Sequence, residues 1–398
     1  MCKGGWLLAR GSHPLLIPVG PRVGAAPKPR RSRRASDRRG DSIRAFLVVS
    51  AIVVNWNGKD YLPACLDALL AQAPPPAEVL VVDNHSDDGS RELVAARYPQ
   101  VRVIDTGRNG GPCHARNVGA EAATSELLLF VDNDVVLRPG CLRALLARLR
   151  GDPKVAMVQA RSLCGDDSSV VHYDGGDLHF LGTIALRNWY RPLAQATPID
   201  GPVGAAIALC FLTRAAAYRD VGGFDENLFI LYEDNEFSWK LRLRGHTVHV
   251  AADALCTHLA GTAGLSVRGE GRYPGRRTYL HSRNRWYVLI ACMRWRTFWL
   301  TMPAQLLYGV VYAAFGVRRG HLGDWLRGKW ELLVMLPKAV RARKVAQRGR
   351  VVADRDLLVA APLTLNPGLA DKGFSAALRR GMDRFFAGYW RAVRGLCG

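Results

Sequence analysis

The chain has 398 residues and a formal charge of +21, and 49% of its residues are hydrophobic. This length and composition predict one large or two medium domains with a packed core. The nine cysteines are scattered and form no C-x-x-C pair, which excludes a zinc or disulfide framework and is typical of a reducing compartment.

The positive charge is concentrated in two stretches. Residues 1–45 hold eleven Lys or Arg against two Asp, and residues 317–350 hold ten against two acidic residues. The first stretch is rich in Pro, Gly and Arg, so we predict a disordered basic extension. That this extension has no function is an equally weighted alternative. It lacks the continuous apolar run of a secretory signal. Basic ends suit anionic lipid or nucleic acid, and six Trp beyond residue 285 favour a membrane interface.

From residue 45 the sequence alternates between strand and helix patterns. The predicted strands are 45–55, 74–83, 101–105 and 127–132, and the predicted helices are 61–71, 91–98 and 113–123. The first strand is a continuous β-branched run, typical of a strand covered on both faces. The alternation predicts an α/β fold with a mainly parallel sheet. A second block, 203–260, contains a helix pattern from residue 231 and a strand pattern over 246–254.

Each predicted strand end carries Asn or Asp: Asn55 and Asn57, then Asp83, then Asp132 and Asp134. Ligands of parallel sheets bind beyond the carboxyl ends of the strands. Burying two carboxylates one residue apart is costly unless something positive lies beside them. A divalent metal whose oxygen shell is completed by a diphosphate meets that need, whereas an Asp-rich turn before the next helix is the structural alternative.

Two further motifs are ambiguous by themselves. The loop GRNGGPCHARNVG (107–119), with Asn109, opens a helix and so presents N–H groups to phosphate, but its glycine spacing is a poor match to a nicotinamide dinucleotide site. Glu233 and Asp234 begin the helix pattern at 231. Both a favourable interaction with the helix dipole and a general base explain carboxylates there.

Six motifs in order identify a resemblance to a known family. They are VVNWNG, VVDNHSDDGS, NGGPCHARNVG, FVDNDV, GGFDENLFILYEDNEFSWKLRLRG and THLAG. Together they resemble the family 2 glycosyltransferases, and most closely the bacterial rhamnosyltransferase-like branch, over about residues 46–350. The resemblance implies a GT-A fold, in which a Rossmann-like mixed, mainly parallel sheet is flanked by helices, and an inverting transfer of sugar from a nucleotide-sugar to a polysaccharide or lipid-linked acceptor.

The resemblance also implies roles for individual residues. Asp234 would be the general base, and Mg²⁺ or Mn²⁺ would bind Asp134 with help from Asp132 and His258, although a buried core histidine explains His258 equally well. The implied nucleotide-sugar-binding residues are Asn55, Asn57, Asp83, Asn109 and Asp132. Processive relatives carry Q-x-x-R-W, and Ser282 replaces that Gln here, which favours addition of a single sugar.

Four arginines on a predicted mobile loop are candidates for neutralising the leaving group, although for each one alone solvated charge is the favoured interpretation. These are Arg276, Arg277, Arg283 and Arg285.

The predicted organisation has four parts: the extension (1–45), the glycosyltransferase domain (46–270), a basic, aromatic and helical membrane-associated region (271–350), and a tail with an amphipathic helix (351–398). Residues 297–317 are uncharged and long enough to span a bilayer. A crossing would place the basic stretch outside, against the positive-inside tendency. We therefore expect peripheral or monotopic attachment to the cytoplasmic face of a bacterial plasma membrane.

Three alternatives stay open at this stage. The apolar helices are alternatively expected to pack on the catalytic domain or on the partner of a homodimer. A nucleotidyltransferase also pairs acidic metal ligands with such a sheet, but only Lys59 supplies charge after the first strand. A non-enzymatic protein that binds nucleic acid through its basic ends is the third, although our main interpretation expects no nucleic acid partner.

Overall fold

The computed structural model describes residues 48–165, 167–260, 265, 273–364 and 373–398. The predicted basic extension, residues 1–45, lies outside them. Residues 47–398 form one compact unit. Its strands are β1 Val49–Asn55, β2 Glu78–Asp83, β3 Arg102–Asp105, β4 Leu127–Asp132, β5 Val135–Leu137, β6 Val155–Cys164, β7 Val171–Tyr173, β8 Gly176–Leu178, β9 Ile184–Leu186, β10 Gly201–Val203, β11 Cys210–Arg214 and β12 Thr247–His258.

The helices lie between and after these strands. They are α1 Leu62–Leu70, α2 Ser90–Arg97, α3 Gly111–Ala122, α4 Cys141–Arg150, α5 Ala215–Asp220, α6 Glu233–Leu243, α7 Gly275–Cys292, α8 Trp295–Arg318, α9 Leu322–Gln347, α10 Asp354–Leu357 and α11 Gly373–Val393.

A ten-stranded sheet organises the molecule, with the main order β10-β12-β6-β11-β4-β1-β2-β3. Strands β3, β2, β1 and β4 are parallel neighbours, and β12 is parallel to β6. Strand β11 runs antiparallel between β4 and β6, and β5 adds an antiparallel pairing to β12. A mixed, mainly parallel sheet flanked by helices and followed by a helical C-terminal region was predicted, and this topology confirms it.

Helices cover both faces of the sheet. Along β1, Ile52 enters the hydrophobic core that contains residues of α3, α6 and α7, whereas Ala51 and Val53 enter the core that contains residues of α1 and α4. Because successive side chains of a strand point to opposite faces, a strand covered twice requires an unbroken apolar run. This requirement explains the sequence VSAIVVN, all seven residues of which are buried.

The sequence predicted the seven elements up to residue 132 to within a few residues at each end. It did not predict the antiparallel strand β11 or the length of α8 and α9. Helix α8 contains the uncharged stretch 297–317 and, by length and composition alone, it is the one helix among the described residues that is long and apolar enough to cross a membrane. About a fifth of its most apolar window, 22%, is buried.

Candidate active site

A cavity of about 1430 Å³ opens at the carboxyl ends of β1 and β4. Of the eight residues predicted from sequence, six line it: Asn57, Asn109, Asp132, Asp134, Asp234 and His258. The structure therefore brings the acidic strand end, the start of α6 and the end of β12 to one place. Asn55 and Asp83 are buried beside the cavity and do not line it.

Asn55 and Asp83 form a buried hydrogen-bond network. Their strands are paired in register, so Asn55 lies opposite Asp83. Asn55 Nδ2 donates to Asp83 Oδ2 at 2.6 Å, while the Ser86 backbone N–H and hydroxyl donate to Asp83 at 2.7 and 2.8 Å. Asn55 Oδ1 accepts from Asn133 Nδ2 at 2.7 Å. This network fixes the strand ends from which Asn57 and Asp132 reach the cavity.

Arg116 provides the positive charge beside Asp132, and sequence reasoning missed it. The guanidinium is buried, and its Nη2 donates to Asp132 Oδ1 at 2.8 Å while its Nη1 lies 3.6 Å from Glu233 Oε1. Burial raises the pKa of Asp132 to about 6, with Arg116 opposing the rise and Asp134 adding to it. One signal was present in the sequence, because Arg116 lies three residues after Cys113 and three before Gly119, on the buried face of α3.

Asp134 lies against His258 because β5 pairs antiparallel with the end of β12. The distance between Asp134 Oδ2 and His258 Nε2 is 3.0 Å, and His258 Nδ1 lies 3.0 Å from His172 Nδ1. Among the described residues no group of three His, Cys, Asp or Glu side chains is placed to hold a metal. A carboxylate beside an imidazole fits a divalent ion that takes its remaining ligands from substrate oxygens and water.

Asp234 is partly exposed to the cavity at the first turn of α6. Burial, followed by the adjacent negative charge of Glu233, raises the pKa of Asp234 to about 7, with Arg116 and the Asn235 N–H opposing the rise. Burial also raises the pKa of Glu233, against the attraction of Arg116. A carboxyl group that titrates near neutral pH can accept a proton from a substrate hydroxyl.

The turn that precedes Asp234 is conformationally strained. Phe229, Leu231 and Tyr232 have φ values of 64°, 70° and 80°, which cost about 1–3 kcal/mol each for residues other than glycine. Gly111 at the start of α3 also has a positive φ, and a Cβ there would lie 2.7 Å from the Phe229 carbonyl oxygen. Asp234 is therefore presented by a backbone that its surroundings must hold in place.

Asn284 of α7 holds this turn. Its Nδ2 lies 3.1, 3.0 and 2.7 Å from the carbonyl oxygens of Leu228, Ile230 and Leu231, and its two hydrogens are shared among them. The neighbouring Arg283 Nη2 also donates to the Leu228 carbonyl, at 2.9 Å. These bonds hold the backbone of the strained turn that leads into Asp234.

On the prediction that Asp234 is the general base, replacing Asn284 with Ala should lower kcat by about 10- to 100-fold, because a misplaced catalytic group costs that much. The donor affinity should not change, since Asn284 contacts neither Asp134 nor His258. Kinetics well below the melting temperature measure both. Gln347→Ala removes amide bonds to the carbonyls of Ala291 and Cys292, lies outside the cavity and is the matched control. An Asn284 variant with unchanged kcat would contradict this role.

Two arginines of the R-N-R region are not where the sequence suggested. Arg283 and Arg285 are buried, so neither a mobile loop nor solvated charge describes them. Arg285 Nη1 donates to Gln305 Oε1 at 2.6 Å and to the Leu181 carbonyl at 2.8 Å. Arg276 and Arg277 do line the cavity, but they lie in the first turn of α7 and not on a mobile loop.

Known proteins resemble parts of this chain. A family model described as glycosyl transferase family 2 matches residues 50–221. The N-acetylglucosaminyl-diphospho-decaprenol L-rhamnosyltransferase of Mycobacterium tuberculosis is 27% identical over 275 residues, which cover 62% of this chain and 88% of that protein. The pre-mycofactocin glycosyltransferase of the same organism is 32% identical over 223 residues, covering 55% of this chain and 43% of that protein.

Among solved structures, that of S. aureus TarS has a TM-score of 0.48 and 18% identity, covering 87% of this chain and 55% of the other. No functional conclusion follows from an overlap at this level.

Proposed function

We propose that this chain is a family 2 glycosyltransferase that adds a single sugar, with rhamnose as the first candidate, to a hydroxyl of a lipid-linked acceptor by an inverting, metal-dependent displacement. One observation carries the proposal: Asp132, Asp134, His258 and Asp234 line one cavity. The name of the relative with 27% identity supports both rhamnose and a diphosphate-linked lipid acceptor.

The donor is expected to bind across the ends of β1 and β4. Trp56 and Tyr61 are exposed aromatics that line the cavity and offer flat faces to a nucleobase, with Asn57 and Asn109 as polar partners. Asp83 and Asn55 act from beneath by fixing these loops. Asp134 and His258 would hold Mg²⁺ or Mn²⁺, which neutralises charge on the departing diphosphate.

Asp234 would remove the proton of the acceptor hydroxyl. The acceptor oxygen forms a bond to the anomeric carbon of the donor as the bond from that carbon to the diphosphate oxygen breaks. The proton passes to the Asp234 carboxylate, and the configuration at the anomeric carbon inverts because there is one displacement. Arg116 lies between Asp132 and Glu233 and keeps both acids in place during the transfer.

A donor panel tests this function. Thermal shifts with dTDP-, UDP- and GDP-linked sugars, each with and without Mn²⁺, should reveal one nucleotide whose stabilisation needs the metal. Transfer of that sugar to a prenyl diphosphate-linked acceptor should follow, with inverted product. The proposal would be wrong if no nucleotide-sugar stabilised the protein, or if the best one were consumed by nucleotidyl transfer.

We also propose that α8 and α9 attach the enzyme to the cytoplasmic face of an anionic membrane without crossing it. Large apolar side chains on these helices are exposed, including Trp299 at 65%, Val310 at 66% and Trp330 at 69%. Exposed apolar surface of this kind is unusual for a soluble monomer. Interleaved Lys and Arg suit anionic lipid headgroups.

Replacing Trp299 and Trp330 with Ser should weaken binding to phosphatidylglycerol vesicles by about tenfold for each Trp, given the apolar area lost. Vesicle co-sedimentation measures this, with Val48→Ser, just before β1, as a control for an exposed apolar residue away from α8 and α9. High salt should release the wild type, and DNA should not retain it. A stable dimer that covers both Trp and shows no vesicle binding would contradict membrane attachment.

A further inference from the structure

The cavity is larger than one substrate requires. Its volume of about 1430 Å³ exceeds the ~300–1,000 Å³ typical of small-molecule sites. Part of its lining comes from α7, α8 and α11 and contains the arginines Arg276, Arg277, Arg318 and Arg379, which we call the arginine pocket. We propose that the arginine pocket binds the diphosphate of a prenyl diphosphate-linked acceptor, an inference that rests on the proposed function.

The arginine pocket is connected to the general base by contacting rings. Tyr232, two residues before Asp234, has its hydroxyl 2.9 Å from His281 Nδ1. The His281 ring stacks on Tyr312 with centroids 3.8 Å apart, and the Tyr312 hydroxyl lies 2.8 Å from that of Tyr273. The Arg277 guanidinium lies 6.0 Å from the centroid of the Tyr273 ring. This row of rings links the arginine pocket to the turn that carries Asp234, and both line the same cavity.

The donor diphosphate is expected at the metal site. Asp134 and His258, the residues proposed to hold the metal, extend toward His172 through a contact of 3.0 Å. An in-line displacement requires the acceptor and the leaving diphosphate on opposite sides of the anomeric carbon. The arginine pocket, which is linked to the turn of Asp234, is therefore assigned to the diphosphate of the acceptor and not to that of the donor.

The positive charge of the arginine pocket is largely uncompensated. Within the described part of the chain, no carboxylate forms an ion pair with Arg276, Arg318 or Arg379. The Nε of Arg379 is buried and has no hydrogen-bond partner there. Arg277 donates only to a carbonyl, that of Leu265, at 3.2 Å. Phosphate oxygens are the ligands that guanidinium groups bind best, often through two parallel hydrogen bonds.

The cavity also opens onto apolar surface. Val310 and Val311 of α8 line it together with Phe315, and Val310 is 66% exposed. One turn earlier, Leu306 and Leu307 are 55% and 41% exposed. A free phosphate would contact only the arginines. The diphosphate of a prenyl diphosphate would contact the arginines while its hydrocarbon tail lies on the apolar surface of α8, so this arrangement favours the prenyl diphosphate.

The test measures binding of farnesyl diphosphate to the full chain in EDTA, so that no metal site contributes. Pyrophosphate and farnesol are the parallel probes for the headgroup and for the tail. Farnesyl diphosphate should bind at least tenfold more tightly than either. Arg318→Gln, at an exposed position that does not endanger folding, and Arg379→Gln should each weaken this binding about tenfold, whereas Arg341→Gln, exposed on α9 outside the cavity, should not.

The same variants should raise KM for the lipid-linked acceptor and leave KM for the nucleotide-sugar within twofold. Three results would overturn the inference: equal binding by the variants, pyrophosphate binding as tightly as farnesyl diphosphate, or a loss confined to donor affinity. Failure of the proposed function is distinguishable, because it would appear as absent nucleotide-sugar binding in the metal-containing assay while prenyl diphosphate binding in EDTA is measured independently.

Discussion

Asp234→Asn is expected to lower kcat by about 10²–10⁴-fold, the contribution of a positioned general base. Asparagine keeps the size and the place of the side chain but cannot accept the proton of the acceptor hydroxyl. Donor affinity, measured by thermal shift or calorimetry with metal present, should be unchanged because the Asp134–His258 pair is untouched. A variant that retained near-full transfer activity would remove Asp234 from the mechanism.

The pH profile distinguishes a lost base from a distorted site. The pKa of Asp234 is raised to about 7, and only the ionised carboxylate accepts a proton, so wild-type kcat/KM should rise with pH and reach half its maximum near pH 7. Glu233 and Arg116 are the charged groups that act on Asp234. Because the charge of Glu233 raises this pKa, Glu233→Gln should move the midpoint to lower pH. The Asp234→Asn residual activity should lack this rise.

Asp134→Ala should abolish metal-dependent nucleotide binding, with a loss in metal affinity greater than about 100-fold. Even residues that only orient metal ligands cost 10–100-fold when replaced, so a direct carboxylate ligand should cost more. Titration with Mn²⁺ in the presence of the nucleoside diphosphate measures the effect.

Asp253→Ala, on the exposed part of β12, is the matched control for Asp134→Ala and should bind Mn²⁺ as the wild type does. If Asp134→Ala retained wild-type Mn²⁺ dependence, the metal would have to bind elsewhere and the assignment would fail. Asp132→Asn is expected to have the milder effect, since Arg116 already holds that carboxylate.

The parallel strands of the sheet and the acidic residues at their ends could be predicted from the sequence. Period and β-branched composition place β1, β2 and β4, and the rule for parallel sheets then brings Asp132 to the cavity edge. Motif resemblance was needed for Asp234 and His258, whose segments are distant in sequence. The proximity of Asp134 to His258 depends on β5 pairing with β12, a register that no local pattern specifies.

The roles of Arg116 and Asn284 could not be predicted from the sequence, and the reason is physical. Arg116 and Asn284 act through buried hydrogen bonds to partners many residues away, at Asp132 and at Leu228 to Leu231. A charged residue in a Gly-rich helix start suggests phosphate binding, whereas the structure uses Arg116 to hold two acids. Asp83 likewise suggested direct contact with the nucleotide, and the structure instead encloses its carboxylate among Asn55 and Ser86.

The hydrogen bonds from Asn284 to the turn before Asp234 determine how far a shortened version of this chain can be cut back. The matched stretch, residues 50–221, contains Asp132 and Asp134 but neither Asp234 nor α7. A fragment that ended after β12 would keep Asp132, Asp134 and Asp234. It would lack the hydrogen bonds from Asn284 to the strained turn before Asp234. A shortened version of the enzyme for engineering should therefore extend through α7, so that the Asn284 side chain still supports the backbone before Asp234.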